Sequence, residues 1–288
     1  IWSLRLMDAG EISWLEAVIL GVVQGLTEFL PISSSAHILI VSQLFGWEDP
    51  GAAFTAVTQI GTEVAVLIYF RHDIVRILRA WWFSLAHIRD RTNPAWTNID
   101  AKMGWYVIVG SIPIVILGLT FAHQIETAAR NLYLVAIVLI VFGIVLGITD
   151  RFGKKTSTLD KLNLRDGILF GFGQALALIP GVSRSGATIT AGLALGYTRE
   201  AAARYSFLLA IPAVLGSGAY EATRLSDAQS VAWGPTLLAT LVAALIGYSV
   251  IAWLLRWIST HSFAPFVVYR IALGSLVLIL LSAGVLTT

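Results

Sequence analysis

The stretch GVVQGLTEFLPISSSAH, residues 21–37, returns 150 positions later as GFGQALALIPGVSRSGA, residues 171–187. Gly21 aligns with Gly171, Gln24 with Gln174, Leu26 with Leu176, Ser33 with Ser183 and Ser35 with Ser185. Each copy is an apolar helix-like run, a proline-containing break, a cluster of hydroxyls and a second short apolar run. In lipid such a break is tolerated only where it is buried in protein or lines a cavity, and paired breaks in two halves of a chain point to a binding site. One copy adds Glu28 and His37, and the other adds Arg184.

Composition places these breaks in a membrane. The chain is 57% hydrophobic and 12% charged, about half the charge of a soluble globular domain, so a polytopic membrane protein is expected. With no cysteine, disulfides and thiolate metal sites are excluded. The small excess of Lys and Arg over Asp and Glu reads as orientation information rather than as a nucleic-acid surface. The opening residues IWSLRLMDAGE carry no cleavable signal pattern.

Six runs are long enough to cross a bilayer, at about 52–71, 103–122, 131–150, 200–221, 233–257 and 264–286. The segments 13–46 and 166–197, broken near Pro31 and Pro180, are each about a crossing and a half. Re-entrant helix-loop-helix elements suit them better than full transmembrane hairpins, because the second arms, about 36–46 and 186–196, are short for a span. Arg71, Arg76, Arg79, Arg89, Arg91 and Lys102 follow the first span, and Arg151, Lys154, Lys155, Lys161 and Arg165 follow the third. Two spans separate these basic loops, which puts both on the cytoplasmic side together with Arg199, Arg204 and Arg256. The opposite loops, near 123–130 and 222–232, carry only Arg130 and Arg224, and both termini then face outward. Three spans per repeat invert the second copy. The expected fold is therefore an all-α polytopic membrane protein, one domain over 1–288, with repeat 1 at about 13–150 and an inverted repeat 2 at about 166–286. The tips of its two re-entrant elements would meet inside the membrane.

Glu28 lies four residues after Gln24, on the same helical face. A carboxylate at membrane depth is either a structurally paired acid or a functional group, a metal ligand or an acid/base. Arg184, flanked by Ser183 and Ser185 with Thr188 a turn further on, offers planar charged donors suited to phosphate, and a helix starting near Ser185 would add free amides. Gly181 and Gly186 would let backbone approach a ligand. The plainer alternative is an Arg184–Glu28 pair that only holds the halves together. His37 is either a satisfied core residue or, beside Ser33, Ser34 and Ser35, an acid/base. Glu63, with Gln59 four residues before it, is a second buried acid. Arg270 reads as a structural residue near the inner end of its span that can snorkel. Trp81, Trp82, Trp96 and Trp105 beside the basic loop read as an interfacial belt.

QGLTEFLPISSSAH and PGVSRSGAT together resemble the motifs of the bacitracin-resistance type of undecaprenyl-diphosphate phosphatase, an integral membrane family. SFLLAIPAVLG (206–216) and FAPFVVYR (263–270) are similar to further stretches of it, so the resemblance covers essentially the whole chain. It implies hydrolysis of undecaprenyl diphosphate to the monophosphate and phosphate, recycling the lipid carrier of cell-wall synthesis in the bacterial plasma (inner) membrane. Gln24 and Glu28 occupy the E/Q-x-x-x-E positions, Ser34 and His37 match catalytic candidates, and Arg184 matches the phosphate-binding arginine. Gln24 and the hydroxyls of Ser33, Ser183, Ser185 and Thr188 are expected at the substrate. The resemblance also implies a divalent cation, Mg²⁺ or Ca²⁺, with Glu28 as ligand, although Gln24 is neutral where many members have Glu.

The expected enzyme uses Ser34 as nucleophile, with His37 as acid/base or as the alternative nucleophile, and its pocket opens outward. Its partners are the polyprenyl diphosphate lipid and the membrane, not nucleic acid, and a homodimer is left open. A lipid-phosphate transporter or flippase would use the same inverted-repeat site, and a cell-wall scaffold would use neither acid nor arginine.

Overall fold

The computed structural model describes residues 12–286 except 91, 123, 126–130 and 225–231. Among the described residues every regular element is helical, with one isolated β-bridge between Ser157 and Tyr197. The helices are α1 (Trp14–Thr27), α2 (Ser34–Leu44), α3 (Gly51–Tyr69), α4 (Arg71–Ala86), α5 (Ile99–Thr120), α6 (Leu132–Phe152), α7 (Leu164–Ala175), α8 (Arg184–Ala194), α9 (Arg199–Arg224), α10 (Trp233–Ile258) and α11 (Ala264–Ser282).

Local chemistry sets the ends that matter. Ser13 and Glu16 form a capping box at the start of α1, and the Asn163 side chain accepts from Asp166 N at the start of α7. Both helices stop short of their prolines, whose missing N–H cannot continue the helical ladder. Helical geometry resumes at Ser34 and at Arg184, immediately after Ser33 and Ser183. Those two serines have φ of 74° and 71°, a strained conformation for a residue with a Cβ. In both copies the strained serine lies beside the serine two residues on, with Oγ···Oγ distances of 3.3 Å and 3.2 Å. The two breaks are thus alike in backbone as well as in sequence.

Five helices, α5, α6, the Arg199–Ala219 part of α9, α10 and α11, are long and apolar enough to cross a membrane by length and composition. They correspond to five of the six expected spans, and the chain is a multi-pass membrane protein. The remaining expected span, 52–71, falls on α3, whose apolar stretch Phe54–Tyr69 groups with the shorter apolar helices, as do α1 and α2. The short second arms begin two residues earlier than expected, at Ser34 and Arg184. The basic loop after α3 is not a loop at its start. Residues 71–86 form the amphipathic helix α4, which packs on α5. Arg130 and the side chain of Arg224, expected in the opposite loops, fall outside the described residues, as does the opening stretch 1–11.

Packing follows the duplication. α1 packs on α10 as α7 packs on α5, and α10 also packs on α3 as α5 packs on α9. Glycines make the first pair of contacts close: a Cβ on Gly21 would lie 2.6 Å from Ala239 O, and one on Gly171 would lie 2.1 Å from Gly110 O. Small residues let membrane helices approach backbone to backbone. Arg199 pairs with Asp150 at 2.5 Å and Arg204 with Asp73 at 2.8 Å. The start of α9 is thereby tied to both basic segments, in keeping with their placement on one side. Gly171→Ala is expected to lower the Tm of the detergent-solubilised protein by several degrees, through overpacking of about 1–3 kcal/mol. Gly216→Ala, where a methyl meets nothing within 4 Å, should leave it unchanged or slightly raised; equal shifts in a thermal melt would contradict the close-contact reading.

Candidate active site

Glu28 is the first residue past α1, and its carboxylate is the meeting point of both breaks. Its Oε1 accepts from Arg184 Nη2 at 2.5 Å, across 156 positions of sequence. Its Oε2 accepts from Ser34 Oγ at 2.6 Å and from Gln24 Nε2 at 2.9 Å. The Glu28 side chain is buried, 4% exposed, whereas Arg184 is 18% exposed. Ser34 is half-buried and Ser35 is exposed, so the network is reached from the side of the short helices. A hydroxyl thus donates to a buried carboxylate beside a partly open guanidinium.

The hydroxyls of the second copy mostly build the anchor. Ser183 Oγ caps Gly186 N at 3.2 Å, and Thr188 Oγ1 donates to Arg184 O at 2.8 Å. Ser185 Oγ bridges to the carbonyls of Glu28 and Leu30, at 3.3 Å and 3.1 Å, which ties one break to the other. Ser33, by contrast, makes no side-chain cap on α2. Arg184 is itself the first residue of α8, not a residue ahead of it.

His37 is buried on α2 but stands apart from this network. Its Nδ1 lies 2.7 Å from Ser33 O and its Nε2 lies 2.7 Å from Tyr269 OH. The carbonyl can only accept, so Nδ1 carries the proton and, in the neutral ring, Nε2 accepts from the tyrosine. Ser34 Oγ therefore hydrogen-bonds to Glu28, while the imidazole bonds to Ser33 O and Tyr269 OH. Tyr269 went unremarked in the sequence, although it sits in the FAPFVVYR stretch.

Its neighbour Arg270 is placed differently from expectation. It does not snorkel: it is 1% exposed. Nη1 donates to Pro31 O at 2.9 Å and Val182 O at 3.0 Å, Nη2 to Gly181 O at 3.0 Å, and Nε to Leu139 O at 3.1 Å. Three of those carbonyls belong to the two breaks. The signature glycines make room for this: a Cβ on Gly186 would lie 3.1 Å from Arg270 Nη1, and Gly181 has φ +90° with Val135 O 2.8 Å from its would-be Cβ.

The description of bacitracin resistance protein BacA matches residues 17–276. An undecaprenyl-diphosphatase of Nocardioides sp. is 56% identical over 276 residues, covering 96% of this chain and 99% of the relative. Undecaprenyl-diphosphatase 2 of Streptomyces avermitilis is 57% identical over 287 residues, with 96% and 97% covered. An undecaprenyl-diphosphatase of Thermobifida fusca is 58% identical over 275 residues, with 96% and 92% covered.

The chain belongs to the BacA family.

In this BacA-family chain the donor chemistry near Glu28 suits a hard cation. Gln24 Oε1 and Glu63 Oε1 are buried oxygens without a hydrogen-bond partner, and Glu63 lies within Coulombic range of both Glu28 and Arg184. Two carboxylates and an amide carbonyl are oxygen ligands of the kind Mg²⁺ and Ca²⁺ take. Among the described residues no three His, Asp or Glu side chains cluster as metal ligands, so the amide of Gln24 is needed to complete such a set. Glu63 does not bond to Gln59, the partner its spacing suggested.

The Arg270 geometry makes a sharp demand on side-chain shape. Arg270→Lys keeps the charge but offers three donors from one nitrogen to four carbonyls. Each buried acceptor left unpaired is worth about 1–3 kcal/mol, so a marked fall in Tm is expected; a lysine variant as stable as the parent in a detergent melt would show that the four bonds are dispensable.

Proposed function

We infer that this BacA-family chain hydrolyses undecaprenyl diphosphate to undecaprenyl phosphate and inorganic phosphate, as the names of its relatives indicate. One observation carries the assignment of residues: Ser34 and Arg184, from different breaks, bond to opposite oxygens of the same carboxylate, Glu28. The diphosphate takes the guanidinium of Arg184, replacing one anionic partner of that arginine by another. Ser34 Oγ attacks the terminal phosphorus while its proton passes to Glu28 Oε2, and the bridging oxygen leaves with undecaprenyl phosphate. Water then attacks the phosphoserine, and the released Oγ recovers a proton from Glu28. Arg184 stabilises charge on the transferring phosphoryl group, which is where most of the catalysis of phosphoryl transfer lies. The uncapped first turn of α2, beside Ser34, adds amide donors for the same group. His37, with Tyr269, holds α2 in place. A transporter needs the anchor but has no use for a hydroxyl poised on a carboxylate, so the geometry favours the enzyme.

The membrane arrangement supporting this reading is an inverted repeat, residues 13–150 and 166–286, with six spans that include α3. α1 with α2, and α7 with α8, form re-entrant elements that enter from opposite faces. The matching breaks, the exchanged packing of the two halves and the ties from α9 to both basic segments support it. The basic segments then face the cytoplasm and the pocket opens outward in a bacterial plasma membrane. The isoprenoid tail lies among apolar helices whose outer faces are exposed.

Glu28, Gln24 and Glu63 would hold a divalent cation, which when bound supplies positive charge to the diphosphate beside Arg184. The protein's own share is to keep those oxygens in place.

With purified protein, Ser34→Ala, Glu28→Gln and Arg184→Ala are each expected to lower phosphate release at least about 100-fold, as for loss of a nucleophile, base or charge anchor. Acid-quenched wild type should carry phosphate on Ser34 by mass spectrometry. Full activity in Ser34→Ala, or phosphate found on His37, would overturn the choice of nucleophile. Binding of Mn²⁺, followed by electron paramagnetic resonance, should weaken about tenfold or more in Glu63→Gln and strengthen in Gln24→Glu. Unchanged affinity in both would remove Gln24 and Glu63 from the cation's ligand set.

A further inference from the structure

α4 is an amphipathic helix for which the reaction has no use. Its outer surface carries two neighbouring ridges at helical spacing. Val75, Leu78 and Trp82 form an apolar ridge, and they are 45%, 54% and 67% exposed. His72, Arg76 and Arg79 form the basic ridge beside it, all exposed. A groove of about 800 Å³ runs along the basic ridge; Arg71, His72, Arg76 and Arg79 line it, together with the carboxylate of Asp100, which is paired with Arg76.

The charges in that groove are not balanced internally. Arg76 is held by Asp73 and Asp100, each at 2.9 Å, and Asp73 is shared with Arg204. Arg71 donates only to the carbonyl of Ile68, at 2.9 Å. Among the described residues neither Arg71 nor Arg79 has a carboxylate partner. Two guanidinium groups therefore line an open groove without a carboxylate partner among the described residues.

The apolar ridge says what kind of anion fits. α4 packs on α5, whose Ile108, Ile112, Val115 and Leu119 are exposed on a helix apolar enough to span a membrane. Trp105 of α5 donates to Ser84 of α4 at 3.0 Å and packs edge-on against Trp81, which sets an aromatic cluster at this junction. Tryptophan clusters and basic residues at the end of a spanning helix mark the headgroup level, and an exposed apolar ridge beside a basic one marks a helix lying in that layer. We propose that the groove on α4 binds the anionic headgroup of a glycerophospholipid, with Arg71 and Arg79 on the phosphate and an acyl chain along Val75, Leu78 and Trp82. The site is separate from the Glu28 network and takes a structural or regulatory lipid rather than the substrate.

Native mass spectrometry of the full chain in detergent tests this by titration with phosphatidylglycerol and with phosphatidylcholine. Wild type should prefer phosphatidylglycerol, and Arg71→Gln/Arg79→Gln should bind it about 30-fold more weakly, the loss expected for two charges at an anionic surface. Arg71→Lys/Arg79→Lys should keep most of the preference, which separates lost charge from lost fold. Phosphate release by all three proteins in detergent should be equal. A wild type without preference, or a glutamine variant that retains it, overturns the proposal. Displacement of phosphatidylglycerol by millimolar inorganic phosphate also overturns it, by assigning the groove to a free anion.

Discussion

A guanidinium buried among backbone carbonyls is the contact on which the interior depends. Two helices that stop and restart inside a membrane leave carbonyls with no helical donor and no water, each worth several kcal/mol if unpaired. Arg270 answers for three of them at once, Pro31 O from the first break and Gly181 O and Val182 O from the second, and anchors itself to α6 through Leu139 O. Arginine is the side chain that can do this, since its donors are fixed in a planar fork and its charge is not lost on burial. The consequence reaches the site directly. Glu28 lies just ahead of Pro31 and Arg184 just after Val182, so fixing those carbonyls relative to one another brings the acid and the cation together. A buried cation with no carboxylate partner among the described residues also leaves the interior favourable to an anion.

Around that clamp, Glu28 divides its two oxygens between different tasks. Oε1 neutralises Arg184 and Oε2 receives the Ser34 proton donor and the Gln24 amide. The guanidinium, though mostly buried, is the more open side of the ion pair.

Much of this was legible in the residues alone, for identifiable reasons. Hydropathy over about 20 residues finds helices such as α6 and α10, because their length and apolar content are properties of one continuous segment. The duplicated break at Pro31 and Pro180, and the meeting of Glu28 and Arg184 at it, could be read because ionisable residues in an apolar run are conspicuous. α4 escaped because a charged amphipathic helix has the composition of a loop, and only the 3.6-residue spacing of Val75, Leu78 and Trp82 distinguishes it. The part of Arg270 escaped because nothing local marks it: its acceptor Pro31 is 239 positions away, and near the end of a span an arginine reads equally well as a snorkelling one. His37 was visible as a histidine among serines, but its partner Tyr269 comes from the far end of the chain and takes it away from Ser34.

The duplication also explains how one site came to hold unlike groups. Ser33 and Ser183 keep the same strained φ and the same neighbouring serine, so each copy still builds the same tip. The next position is where they part. Ser34 and Arg184 are equivalent, each the first residue of its short helix, and each reaches an oxygen of Glu28. The carboxylate itself has no counterpart, since Leu178 stands at the matching place in the second copy. Equivalent backbone therefore delivers a hydroxyl from one side and a guanidinium from the other to a single acid. A symmetric pair of arginines would leave Glu28 without a hydroxyl partner, and a symmetric pair of serines would leave it without a cation. The unlike pairing of Glu28 depends on the difference between the copies, and the geometry that delivers both partners depends on their likeness.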